Sequence, residues 1–100
     1  MIYLTQLIFV EPGKEQLFHQ FEDLAIPLME YYRGQILYRL RPAPEAFVSG
    51  ETDKPYEIHF ISFDSENDLE NFLKDDRRLE FMHLKNESVR SVLLVKGEKM

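Results

Sequence analysis

Residues 56–63 constrain the fold of this chain more strongly than any other segment. Aromatic and β-branched side chains occupy both alternating sets of Tyr-Glu-Ile-His-Phe-Ile-Ser-Phe, as expected for a strand that is covered on two faces. Ser65 follows with Asp68 three residues later, a spacing that resembles a capping box and marks the start of a helix. The segment therefore predicts a central strand that leads directly into a helix.

The remaining sequence predicts three further strands and one long helix. The alternating patterns place strands at residues 2–10, 35–41 and 89–95, and an apolar arc places a helix over residues 17–32. Gly34 is expected to supply the left-handed residue that ends this helix. The helix after Ser65 should break between Asp75 and Arg78, because its apolar spacing changes phase there.

The order β-α-β-β-α-β predicts an α+β, ferredoxin-like fold with a four-stranded antiparallel sheet and helices on one face. The first and third strands are then central, in agreement with their two-sided apolar pattern. On the edge strand, strict alternation predicts Ile36, Tyr38 and Leu40 on one face. The opposite face would carry Leu37, Arg39 and Arg41. Residues 42–55 are polar and proline-rich, and are interpreted as a flap over a cleft between sheet and helices.

Composition limits the classes of function. One hundred residues are predicted to form a single domain spanning residues 1–100. The chain has no cysteine, which excludes thiolate chemistry and favours a reducing cytoplasm. The net charge of −6 makes nucleic acid an improbable partner, and no apolar run is long enough to predict a membrane span.

The sheet face without helices predicts a second copy of the chain as a partner. Leu, Ile, Val and Phe side chains on this face would leave a monomer with an unusually large apolar patch. A homodimer that packs sheet against sheet covers both patches at once.

His59 is the main candidate for catalysis because an imidazole within a buried strand must find a partner or stay neutral. A histidine satisfied in the core or in the dimer interface is the alternative. Tyr32 and His83 are candidates to reach the same cleft and orient a substrate, and Arg39 to steady a developing oxyanion. No pair of histidines has the sequence spacing typical of metal ligands, so no metal is predicted.

Three segments resemble a known family. They are Tyr-Tyr-Arg-Gly at residues 31–34, the strand that ends in Phe-Asp-Ser-Glu at residues 63–66, and Val-Leu-Leu-Val-Lys-Gly at residues 92–97. Together they look like the small bacterial domain of unknown function numbered 1330, a member of the dimeric α+β-barrel superfamily. Arg33 stands where that family typically has glycine, and Gln35 where it often has arginine. The resemblance covers nearly the whole chain and implies a dimeric barrel.

The superfamily includes cofactor-free monooxygenases, muconolactone isomerase, haem-degrading enzymes and chlorite dismutases, so the fold does not transfer a function. The prediction is a small-molecule enzyme or binder with an apolar, aromatic-lined cleft, cofactor-free and either oxygenase-like or isomerase-like in its chemistry. A small apolar or aromatic ligand is the expected partner. The alternative is a non-catalytic ligand-binding or homodimeric assembly module.

Overall fold

The computed structural model describes residues 1–50 and 52–100. Its strands are β1 (Ile2–Val10), β2 (Gly34–Leu40), β3 (Glu57–Phe63) and β4 (Val89–Gly97). Its α-helices are α1 (Glu15–Tyr31), α2 (Glu66–Lys74), α3 (Asp76–Glu80) and α4 (Met82–Ser88), and Pro44–Ala46 form one 3-10 turn. Within the described residues, no helix has both the length and the apolar character needed to cross a membrane.

The four strands form one antiparallel sheet in the order β2-β3-β1-β4. The two strands with two-sided apolar patterns, β1 and β3, are therefore the central pair, as predicted. The α+β, ferredoxin-like architecture is confirmed.

The helices cover one face of the sheet, and the core lies between the helices and that face. Leu4 and Ile8 of β1 face the helices together with Ile61 and Phe63 of β3, and all four are buried. On α1, the buried positions follow helical spacing. They are Phe18, Glu22, Ala25, Leu28 and Met29. A glutamate therefore lies within an otherwise apolar stripe, where a charged group needs a partner.

The opposite face of the sheet carries exposed apolar side chains. Tyr38 of β2 is 67% exposed, and Leu93 and Val95 of β4 are 56% and 54% exposed. Phe60 of β3 lies between them and contacts Tyr38 edge to face, with ring centroids 6.1 Å apart. This face is the one that the sequence pattern predicted to be without helices.

The turn after α1 differs from the prediction for Gly34. Arg33 adopts the left-handed conformation, with φ of 62°, and Gly34 is already the first residue of β2. Glycine is required there for space, since a Cβ would lie 2.4 Å from Cγ of Met29 and 2.7 Å from the ring of Phe63. The close approach of helix and sheet, and not the turn, explains this glycine.

A bulge in β2 overturns the predicted faces of that strand. Ile36 pairs with Ile61 and Arg39 with His59, and the register shifts between Ile36 and Tyr38. The extra residue in β2 puts Ile36 and Arg39 on the same, helix-covered face, whereas strict alternation had separated them. The bulge thereby aims the arginines of this edge strand towards the core.

The segment after β3 follows the prediction closely. Oγ of Ser65 accepts a hydrogen bond from the backbone N–H of Asp68 at 3.1 Å and caps α2. The predicted break is confirmed, because α2 ends at Lys74 and the side chain of Asp75 caps α3. Two short helices follow the break, where one was expected.

Candidate active site

Three ionisable side chains meet beneath the helices, in the middle of the molecule. Glu22 belongs to the buried stripe of α1, while Glu57 and His59 are two apart on β3 and therefore point to the same face. Their residues are 2%, 0% and 6% exposed, respectively. We call Glu22, Glu57 and His59 the acid–histidine cluster.

Both carboxylates of the cluster bind the same ring nitrogen. Nε2 of His59 lies 2.5 Å from Oε2 of Glu57 and 3.1 Å from Oε2 of Glu22. Since an ionised carboxylate only accepts hydrogen bonds, Nε2 must carry the proton that it donates to them. His59 is thus on the helix-covered face, within hydrogen-bond distance of two acids, and away from the exposed face of the sheet.

Arg39 of β2 and Arg41, just after the strand, bind the carboxylates of the cluster. Nη2 of Arg39 donates to Oε1 of Glu22 at 2.7 Å, and its Nε donates to Oε2 of Glu57 at 3.3 Å. Nε of Arg41 donates to Oε1 of Glu57 at 2.6 Å. Glu57, which is completely buried, therefore has three cationic or ring N–H donors, and its burial is compensated by charge and hydrogen bonds.

The environment shifts the pKa values of the two glutamates in opposite directions. Burial raises the pKa of Glu22, the hydrogen bond with His59 opposes that effect, and the nearby carboxylate of Glu57 adds to it. Burial also disfavours the charged form of Glu57, but its hydrogen bonds with His59 and Arg41 outweigh burial and hold its pKa far below the usual range. Glu57 is the permanent anion of the cluster, and Glu22 is the carboxyl group placed to exchange a proton.

The same balance favours a proton on His59. Burial lowers the pKa of an imidazole, yet hydrogen bonds with Glu22 and Glu57 and the negative charge on them reverse that effect. The pKa of His59 is therefore raised from its ordinary value of 6.5. Glu22 and His59 therefore form a hydrogen-bonded pair in which the pKa of each group is raised by its surroundings.

A partly open cavity of about 110 Å³ lies next to this pair. Most of its lining is apolar, from residues such as Phe18, Ile61 and Phe63. Five polar or charged residues also line it: Gln6, Glu22, His59, Arg78 and Lys85. A small apolar cavity with a few convergent polar groups is the usual form of a small-molecule site.

Gln6 is opposite His59 in the sheet. The two residues are directly paired between β1 and β3, on the helix-covered face. Gln6 is the one polar residue among Ile2, Leu4, Gln6, Ile8 and Val10, which form the inward set of β1. Its side-chain amide supplies the cavity with a donor beside the acid–histidine cluster.

Two of the residues predicted to converge on His59 lie elsewhere. Tyr32 donates to a carboxylate oxygen of Asp75 and packs against Phe72, and it does not line the cavity. His83 is exposed on α4, with Nδ1 3.2 Å from the carbonyl oxygen of Glu80. The structure thus does not bring Tyr32 or His83 to His59.

Arg39 is close to His59 but in a different position from the one predicted. Its guanidinium group binds Glu22 and Glu57 and does not line the cavity. It pairs with both acids, and the side of the guanidinium group away from the cavity lines a separate surface pocket with Arg41 and Glu57. No described residue of the predicted flap, residues 42–55, lines the cavity either.

Sequence reasoning missed Glu22, Glu57 and Gln6 as members of the site. The signal for each is a polar residue at a position where the period demands an apolar one: Glu22 between Phe18 and Ala25, and Gln6 between Leu4 and Ile8. Glu57 alternates with His59 on the strand that was already predicted to be central. A search for polar residues on buried faces finds all three.

The cluster also has the donor set of a metal site. One ligand atom from each of Glu22, Glu57 and His59 can be chosen so that all lie within 4.8 Å of one another. Arg39 and Arg41, however, occupy oxygens of the same carboxylates at 2.6–3.3 Å. A divalent cation would lie beside two guanidinium charges, so these residues fit a proton-bearing cluster better than a metal ion.

Tyr56 and His19 close the outer side of the cluster. The Tyr56 hydroxyl is 2.6 Å from Nε2 of His19, and the two rings stack with centroids 5.8 Å apart. The guanidinium group of Arg41 lies over the Tyr56 ring at 5.6 Å. His19 of α1 is thus half-buried against Tyr56, the residue just before β3.

The fold and this cluster define a ferredoxin-like α+β domain with a buried carboxylate–imidazole site. No family model and no curated protein matches the sequence. Solved structures do match: a protein of unknown function from Rhodopseudomonas palustris superposes with a TM-score of 0.86 at 12% identity, over 99% of this chain and 82% of that one.

Two NIPSNAP proteins are also similar in structure. A NIPSNAP family protein of unknown function from Agrobacterium tumefaciens has a TM-score of 0.68 at 17% identity, over 97% of this chain and 86% of that one. An uncharacterised NIPSNAP domain protein from Burkholderia xenovorans has a TM-score of 0.72 at 8% identity, over 100% and 95%. Identities this low establish the shared fold, and any function has to be argued from the site.

Proposed function

We propose that this chain is a cofactor-free, isomerase-like enzyme that moves a proton on a small, largely apolar substrate. One observation carries the proposal: Glu22 and His59 are hydrogen-bonded to each other and both line an otherwise apolar cavity of about 110 Å³. Burial raises the pKa of the Glu22 carboxyl, and the hydrogen bonds with Glu22 and Glu57 raise the pKa of His59, so the pair combines a more basic carboxylate with a protonated imidazole, as general acid–base catalysis requires. The absence of cysteine supports a cytoplasmic location for such an enzyme.

The geometry assigns a role to each cavity residue. Glu22 accepts the proton of a C–H bond next to a substrate carbonyl, and the electron pair of that bond forms a carbon–carbon double bond. The amide of Gln6 donates a hydrogen bond to the carbonyl oxygen as it becomes an enolate. His59 then returns a proton to another carbon and regains one from Glu22 through their 3.1 Å contact.

Glu57 and the two arginines act on the cluster and not on the substrate. Glu57 holds Nε2–H of His59 beside Glu22, and Arg39 fixes the carboxylates of both glutamates. This role for Arg39 replaces the oxyanion contact expected from the sequence. Tyr32 and His83 have no part in this mechanism.

Hydrogen–deuterium exchange at carbon tests the proposal without knowledge of the natural substrate. Phenylacetone, cyclohexanone and 4-oxopentanoate are incubated with the protein in D2O, and loss of the proton signals next to the carbonyl is followed by NMR. Wild type is expected to accelerate exchange for at least one compound. Glu22→Gln and His59→Gln should each slow it by roughly 10²- to 10⁴-fold, the usual contribution of a general acid or base.

Glu70→Gln is the matched control, since Glu70 is exposed on α2. It should leave the exchange rate unchanged. No enzyme-dependent exchange with any of the three compounds, or equal exchange in wild type and Glu22→Gln, contradicts a proton-transfer enzyme. The non-catalytic ligand-binding or assembly module then becomes the better description.

The second proposal concerns assembly: the chain is one domain that forms a homodimer through the exposed sheet face, as a dimeric α+β barrel like that of family 1330. Exposed Tyr38, Leu93 and Val95 around Phe60 support it, because a second copy covers the whole apolar face by symmetry. This arrangement suits either an enzyme or an assembly module.

Sedimentation at micromolar concentration is expected to show a species of twice the 12.0 kDa chain mass. Leu93→Asp should shift it to the monomer, because a charge at the centre of an apolar interface is costly to bury. Leu79→Asp changes an equally exposed leucine on α3 and should leave the dimer intact. A wild-type protein that sediments only as a 12.0 kDa species rules the dimer out.

A further inference from the structure

Arg78 and Lys85 are cations of the cavity wall that the proposed proton transfer does not use. Arg78 belongs to α3 and Lys85 to α4, whereas Glu22 and His59 come from α1 and β3. All four line the same cavity. The cavity is thus lined both by an acid–base pair and by two positive charges.

The arginines of the chain differ in how they are neutralised. The five others each lie within 4.0 Å of a carboxylate oxygen: Arg33, Arg39, Arg41, Arg77 and Arg90. Arg78 has no such partner within the described residues, and its buried Nε has no hydrogen-bond acceptor at all there. This is notable in a chain with 18 acidic and 12 basic residues, where acceptors are plentiful.

The surroundings of Arg78 do not replace the missing anion. Its Nη1 reaches the carbonyl oxygen of Leu73 only at 3.5 Å, and its guanidinium group lies 5.2 Å from the centre of the Phe72 ring. Burial lowers the pKa of Arg78, and burial together with repulsion from Arg78 lowers the pKa of Lys85. Two like charges held together in a partly desolvated wall are a cost to the empty protein that an anion removes.

From this arrangement we infer that the cavity takes a small amphipathic monocarboxylate, whose carboxylate binds Arg78 and Lys85 and whose apolar body fills the space beside Phe63 and Ile61. A guanidinium group is suited to a two-point contact with a carboxylate, and the ammonium group adds a second charge. The cavity volume of about 110 Å³ limits the body to about the size of one ring.

The inference names the substrate class of the proposed enzyme and rests on the same cavity. Carboxylate binding and proton transfer use different residues, however, so either proposal can be wrong while the other is correct. A substrate with a carbonyl group in its body and a carboxylate at one end would engage Gln6, Glu22 and His59 as well as the two cations. A short keto acid is the simplest compound with these features.

Binding of matched acids and amides tests the inference. Benzoate and benzamide have nearly the same shape and differ in charge, as do hexanoate and hexanamide. Calorimetry or NMR titration at pH 7 is expected to show that at least one acid binds wild type ten-fold or more tightly than its amide, as a charged hydrogen bond in a partly buried site should. Wild type alone therefore decides whether the cavity prefers an anion.

Substitutions then show which residues cause the preference for the acid. Arg78→Gln and Lys85→Gln should each weaken binding of the acid by roughly 10- to 100-fold and leave the amide unchanged. Lys74→Gln removes an exposed lysine at the end of α2 and should change neither. Because Arg78 has no carboxylate partner in the described structure, Arg78→Gln is not expected to lower the unfolding temperature, and Lys85→Gln provides a second test if it does.

Three results overturn the inference: neither acid binds more tightly than its amide, the preference survives both cavity variants, or Lys74→Gln removes it. Failure of the proposed proton-transfer function would give a different set of results. In that case, the acid preference persists in wild type while carbon-bound protons do not exchange. If the protein exchanges carbon-bound protons but binds acid and amide equally tightly, the proposed function stands and this inference is wrong.

Discussion

Replacing Glu57 with glutamine is expected to lower the free energy of unfolding by about 3–5 kcal/mol. Glu57 is completely buried and accepts from His59, Arg39 and Arg41. The variant keeps the shape of the side chain but removes the anion, so that the imidazolium of His59 remains buried with less compensation. Urea denaturation of both proteins measures the difference directly.

The sign of the pH dependence follows from the two pKa shifts. The pKa of His59 is raised, so its contribution to stability is present below the unfolded pKa of about 6.5 and is lost as pH rises through the folded value. The pKa of Glu57 is lowered, so its contribution is present above about pH 4.3 and is lost as pH falls through the folded value. The difference between wild type and Glu57→Gln should therefore be greatest between about pH 4.3 and 6.5 and should shrink as pH rises through the folded pKa of His59.

The exposed Glu70 again provides the matched control, and Glu70→Gln should change stability by less than about 0.5 kcal/mol. NMR titration of His59 adds an independent readout, because loss of Glu57 should lower the pKa of His59. A stability loss below about 1 kcal/mol for Glu57→Gln would show that the charge of Glu57 does not maintain the acid–histidine cluster.

The sequence predicted the backbone of this fold well because local physics determined it. Two-sided apolar strands identified β1 and β3 as central, and Ser65 with Asp68 identified the start of α2. The break after Lys74 followed from a change in apolar phase. Each of these signals is contained within about ten residues.

The site was less predictable because it depends on register between distant segments. The bulge in β2 places Ile36 and Arg39 on the same face of the sheet, and no local pattern in residues 34–41 predicts the bulge. Burial of His59 was predicted, whereas its two acidic partners require knowledge that Glu22 of α1 lies over β3.

Tyr32 and His83 show the same limit. Tyr32 is ten residues after Glu22 on one helix and its C-cap, and therefore about 15 Å further along the axis. His83 lies in the first turn of α4 and is exposed. The sequence identified residues capable of chemistry, but the path of the backbone decided which of them meet.

Phe63→Ala is expected to cost about 3–5 kcal/mol of stability and to enlarge the cavity. Phe63 is 1% exposed, packs against Phe72 with ring centroids 5.8 Å apart, and lines the cavity wall. Removal of the ring forfeits its burial and leaves space that the rigid sheet cannot fill. Benzene should therefore raise the unfolding temperature of the variant more than that of wild type, as in other apolar cavities.

Phe47→Ala is the control for loss of a phenyl ring, since Phe47 lies in the connection between β2 and β3 with Lys54 near its ring. We expect it to cost less than about 1 kcal/mol and to show no added benefit from benzene. A loss of similar size in Phe63→Ala and Phe47→Ala would contradict the position of Phe63 in the core.

Coupling between Phe63 and Gly34 provides the strictest test of this packing. An alanine at Gly34 would place its Cβ 2.7 Å from the Phe63 ring, so Gly34→Ala should cost about 1–3 kcal/mol in wild type. In the Phe63→Ala background the obstructing ring is gone and only the flexible Met29 side chain must move, so the same change should cost much less. Gly97→Ala, where a Cβ meets nothing within 4 Å, should cost the same in both backgrounds. Equal costs of Gly34→Ala with and without the ring would show that Phe63 does not occupy the space beside Gly34, and the shape of the cavity wall would then have to be revised.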